Sequence, residues 1–159
     1  MKRTAILILI LVGALFSVEV YAEGTALEKI PIGKNLRLDK SFDYSTYYGV
    51  INSREELAQI WSHIVKAGDD NFFFPGIGVP LPPEIDFKKH QTLWFADRGA
   101  HASFVESAEL VEDAESGALT AAIKVWHSDF GSRKLNLWKI PRTNRKIIFR
   151  ETHRYDRGP

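Results

Sequence analysis

Between Thr92 and Thr152 the chain passes through five apolar stretches joined by connections of only a few residues, and that rhythm limits the fold more than any other feature. The stretches are Thr92 to Ala96, Ser103 to Val111, Leu119 to Trp126, Leu135 to Ile140 and Lys146 to Thr152. The third alternates strictly. Leu119, Ala121, Ile123 and Val125 fall on one side, and Thr120, Ala122, Lys124 and Trp126 on the other, which is the period of a strand with one buried face. The same period in the second sets Phe104, Ala108 and Leu110 on one face and Val105, Ser107, Glu109 and Val111 on the other. Glu115-Ser116-Gly117 and Pro141 to Asn144 read as turns. Parallel neighbours need a crossover of about a dozen residues or more, so the expectation is an antiparallel meander.

A single helix precedes this series. Tyr47 to Ile51 reads as a strand that runs into Ser53-Arg54-Glu55-Glu56, the spacing at which a serine and a glutamate satisfy free N–H groups at a helix start. Leu57, Ile60, Trp61, Ile64 and Val65 then form one apolar stripe, and Gly68 offers a stop. The fold class expected is therefore α+β, one amphipathic helix packed on a mostly antiparallel meander sheet of about five to six strands. Residues 71–83 separate helix from sheet with Phe72, Phe73 and Phe74 among four prolines and two glycines. Such a loop either covers one end of the core or offers an apolar patch to a partner.

Residues 1–22 have the form of a secretory signal: Lys2 and Arg3, an apolar run from Ile6 to Phe16, and Val20-Tyr21-Ala22 as a cleavage site. The expectation is a periplasmic or secreted protein cleaved near Ala22, with an extended lead-in over 23–47 and a single domain over 48–159. The apolar run is shorter than the ~20 residues of a spanning helix. With no cysteine in the chain, stability has to come from a packed core. Charge is uneven: residues 23–130 hold 10 basic and 17 acidic side chains, residues 131–159 hold 9 and 2. Either the basic end meets an anionic partner, or late basic strands lie beside earlier acidic ones.

Asp97, His101 and Ser103 supply the residue types of a hydrolytic triad, but a triad needs convergence in space, and Gly99-Ala100 marks a plain turn without a nucleophile elbow. His127 and Asp129 end the next strand pair. Together with Asp97 and His101 they are the candidates for a small-molecule or glycan site, or less readily a hydrolase. His63, His90, His101, His127 and His153 are scattered without metal-ligand spacing, and no phosphate loop is present. Neither metal, cofactor nor catalytic residue is expected. Basic residues interleaved with Trp138 and Phe149 suit base stacking, but an exported chain rarely meets nucleic acid, and none is expected as partner.

Ile51-Asn52-Ser53-Arg54-Glu55-Glu56-Leu57 with Trp61, then Pro83-Glu84-Ile85-Asp86-Phe87-Lys88-Lys89, a strand, a glycine turn and a long hairpin together resemble the C-terminal domain of PrcB, a protease complex subunit, over roughly residues 48–152. In this pattern Ser53 and Glu56 cap the helix, Trp61 and Phe87 plug the core, and Asp86 caps a turn. The resemblance implies a non-enzymatic exported accessory that binds or stabilises another protein, a protease in that family. The candidate contacts are Phe72, Phe73, Phe74, Asp97, Arg98 and His101.

Overall fold

The computed structural model describes residues 24–33, 36–67, 73–75, 78–97, 102–113, 115–128 and 134–155; for 67, 73–75, 102–104 and 128 it describes the backbone alone. In chain order the elements are β1 (Thr25–Ala26), β2 (Glu28–Lys29), β3 (Leu36–Leu38), β4 (Tyr48–Ile51), α1 (Arg54–Trp61), β5 (Ile64–Ala67), β6 (Phe73–Pro75), β7 (His90–Ala96), β8 (Ala102–Glu112), β9 (Leu119–Ser128), β10 (Leu135–Pro141) and β11 (Ile147–Tyr155). They form three sheets: a front sheet β1-β8-β9-β11, a central sheet β2-β10-β7-β4 and a small sheet β3-β5-β6.

The central sheet is covered on both faces, which explains its unbroken apolar runs. Gln91 to Asp97 in and just after β7, and Leu135 to Trp138 in β10, are all buried. Leu93, Phe95, Trp138 and Ile140 face Ala108, Leu110, Leu119, Ala121, Ile123 and Val125 of the front sheet, as in two packed sheets. On the reverse face Trp94, Ala96, Leu135 and Leu137 meet Leu57 and Trp61 of α1, Leu36, Leu38 and Ile64 of the small sheet, and Phe42. Phe42 meets Trp94 edge-on, with ring centroids 6.1 Å apart.

The expected α+β class is corrected by this architecture. Strands dominate the described residues and the one helix among them is short, so the protein is mostly β with several sheets. The helical stripe breaks after Trp61. Ser62 closes α1 with its N–H on Ala58 O and its hydroxyl on Gln59 O at 2.7 Å, and the adjacent β-branched pair Ile64 and Val65 becomes β5. There Leu38 pairs with Ile64 and Arg37 with Val65, so burial across a sheet replaces burial along a helix. The Gly68 expected as a stop lies outside the described residues.

The meander is corrected too. β11 runs parallel to β9, from Ile147 opposite Leu119 to Tyr155 opposite His127. The crossover that a parallel pair requires is β10 itself, which leaves the front sheet to pair with β7 of the central one. Within β8 a bulge between Val105 and Ser107 shifts the alternation, so Val105 packs inward with Ala108 and Leu110.

Local signals act as their chemistry requires. Ser53 Oγ accepts from Glu56 N at 3.1 Å, while Glu56 Oε2 reaches back to Asn52 N at 2.7 Å. Trp61 Nε1 donates to Pro80 O at 2.8 Å, tying α1 to the proline segment. Asp86 Oδ1 accepts from Lys88 N at 3.1 Å, and Phe87 packs against the reverse-face core. Between β8 and β9, Asp113 Oδ1 accepts from Ser116 N at 2.7 Å, and Gly117 takes a φ of 65° to close the turn. Arg145 then joins Gly117 O, through Nε at 2.6 Å, to Glu112, through Nη2 at 2.6 Å. Lys139 of β10 likewise meets Glu28 of the neighbouring β2 at 3.4 Å, so late basic residues sit beside earlier acidic ones.

Candidate functional site

At the end of the sandwich where β7 and β9 finish, the two facing sheets enclose a cavity of about 130 Å³ lined by Tyr47, Phe95, Asp97, Val125, His127, Glu151 and His153. Strand period places them there. His127 continues the inward row Leu119, Ala121, Ile123 and Val125 of β9; Glu151 and His153 continue the row Ile147 and Phe149 of β11; Asp97 follows Phe95 on β7. Where the apolar rows end, the same faces become polar.

Four of these groups stand in polar contact in series. Tyr47 OH donates to Glu151 Oε1 at 2.6 Å, Glu151 Oε2 lies 3.4 Å from His153 Nε2, and His153 Nδ1 lies 2.7 Å from His127 Nε2. The imidazole centroids are 5.0 Å apart with 25° between planes, which suits a bond running edge to edge between the rings. Of the two facing imidazole nitrogens, one donates and the other accepts. Tyr155 lies over His127 at 4.6 Å and 10° and is 66% exposed.

Asp97 is 2% exposed, and its N–H donates to Lys134 O at 2.9 Å, which anchors the strand end across to β10. Tyr47 is held by its own carbonyl, which accepts from Ala96 N at 2.6 Å. Among the described residues, no three His, Asp or Glu side chains are grouped to hold a metal ion. A larger cleft of about 470 Å³ borders α1, lined by Arg54 and residues 83–87. Its Asp86 is committed to capping its own turn, and no comparable polar network converges there.

Of the residues anticipated for a ligand site, Asp97 and His127 line the same cavity. His101 and Asp129 lie outside the described residues, as do Phe72 and Arg98 among the anticipated partner contacts. Phe73 and Phe74 belong to β6, paired with Ala67 and Lys66. Sequence reasoning missed Tyr47, Glu151 and His153. The signal for two of them was present: the alternation Ile147, Phe149, Glu151, His153, Tyr155 continues β11 past Thr152 with polar groups on its inward row.

Comparison with family models, with curated proteins and with solved structures returned no match.

Proposed function

We propose that this chain is a non-enzymatic binding domain whose cavity receives a small polyhydroxylated ligand, a single sugar ring being the fitting class. The observation that carries the reading is the convergence of Asp97, Glu151, His127, His153 and Tyr47 on one cavity of about 130 Å³. That volume is below the ~300 Å³ at which drug-sized pockets begin, so the occupant is small or enters by one end. Carboxylate oxygens have lone pairs to accept from more than one hydroxyl, and Tyr155, stacked on His127, adds a flat aromatic face beside that lining residue. Calorimetric titration with a panel of mono- and disaccharides tests this. A saccharide that binds wild type and loses at least tenfold in affinity with Glu151→Gln supports the reading; a folded wild type that binds none at millimolar concentration overturns it.

A second reading, an exported accessory that docks on another exported or envelope protein, is the one implied by the PrcB resemblance. It draws support from the open edge of the front sheet, where β11 has β9 on one side and, among the described residues, no hydrogen-bonded strand on the other. No helix among the described residues is long and apolar enough to cross a membrane.

A further inference from the structure

The exposed face of β11 carries Lys146 at its start, then Ile148, Arg150, Thr152 and Arg154, each at an alternate position and each exposed. Lys124 of β9 stands beside Thr152 as its register partner and is also exposed. At about 3.3 Å per residue, Lys146, Arg150 and Arg154 form a line of cations roughly 13 Å apart. Most other described basic residues of the C-terminal part are engaged. Lys139 pairs with Glu28, Arg145 with Glu112, and Arg142 Nη1 donates to Phe87 O at 2.6 Å. Arg150 and Arg154 on β11, with Lys146 just before it, thus line up along one strand, and among the described residues that strand is a sheet edge.

We propose that β11 is a docking edge for an extended acidic segment of a partner protein, which adds as a further strand of the front sheet. This inference rests on the docking reading above and names its partner class. Edge strands carry unpaired N–H and C=O groups that template another strand, and a row of cations decides which strand is accepted. A second copy of this chain fits poorly, because pairing β11 with itself sets its arginines against each other. A segment with carboxylates at every fourth residue places one opposite each of Lys146, Arg150 and Arg154, with main-chain hydrogen bonds between. Ile148 and Thr152 then meet the apolar or β-branched residues at the intervening positions on that face.

The test uses the full chain with three probes: a synthetic peptide with Glu at every fourth position and Val and Thr elsewhere, its Lys-substituted twin, and a heparin oligosaccharide of similar charge. Binding is followed by fluorescence anisotropy, and amide exchange along β11 by NMR. The acidic peptide is expected to bind, the Lys twin not, and the β11 amides on the open side to slow at least tenfold. Arg150→Glu/Arg154→Glu should weaken binding at least tenfold, with Arg150→Gln/Arg154→Gln as the milder pair should the first fail to fold. Absence of peptide binding, binding without amide protection, or tighter binding of heparin than of peptide overturns the inference. Capture of a defined envelope protein that both arginine variants retain overturns the assignment to β11 while leaving the docking reading standing.

Discussion

His127 Nε2 and His153 Nδ1 face one another at 2.7 Å, so one proton is shared between two imidazoles at the open end of the sandwich. One of these two nitrogens carries the proton and the other accepts it. Long-range ¹H–¹⁵N correlation of the two rings reads which one donates, and a protonated nitrogen on neither side of the contact would disprove the bond. His153→Ala removes the hydrogen-bond partner of His127 and the neighbour of Glu151. It should cost about 1 kcal/mol in denaturant unfolding.

Gly49 lies opposite Trp94 in the central sheet, and a Cβ there would stand 2.7 Å from Trp94 Nε1. Trp94 is held by the reverse-face core and cannot swing aside without unpacking Phe42. Gly49→Ala should therefore destabilise the protein by about 1–3 kcal/mol, in contrast to the usual small effect of alanine in a strand. A denaturation midpoint equal to wild type would show that the indole yields.

The Asp113 carboxylate is held below its ordinary value of 3.8, first by the Ser116 N–H, then by the Ser116 hydroxyl, with the Glu115 N–H and Arg150 adding less and desolvation opposing. Its folded pKa is thus lower than its unfolded one. The stabilisation it gives is full above the ordinary value and is lost as pH falls through the folded one. Asp113→Asn should lower Tm at pH 6 and converge on wild type as pH falls through the lowered folded pKa. Parallel Tm curves for the two proteins across that range would refute the assignment.

Ser53→Ala leaves Glu56 N without its acceptor at the start of an eight-residue helix. The expected loss is about 1 kcal/mol in urea unfolding, and Ser53→Asp should recover most of it.

What was legible in the sequence divides along physical lines. β7, β9 and β10 were readable because each buries an unbroken row or alternates without interruption, and the helix start was readable because Ser53 and Glu56 act within four residues of each other. The end of the helix was not: Ile64 and Val65 fit a helical stripe as well as a strand, and only pairing with Leu38 and Arg37, far off in sequence, decides between them. The parallel course of β11 was equally hidden, since a strand that changes sheets looks the same locally as one that turns back. For the site, Asp97 and His127 were among the named candidates. Tyr47 was not, because its link to Glu151 spans 104 positions and leaves no local pattern.

With β10 away in the central sheet, the site closes through a pairing of distant segments. Tyr47, Asp97 and His127 come from β4, β7 and β9 or their ends, and Glu151 and His153 join them only where β11 lies beside β9. Such long-range closures are slow to nucleate. Formation of the histidine pair therefore serves as a built-in readout of completed folding, and its imidazole signals should be the last native resonances to appear on refolding.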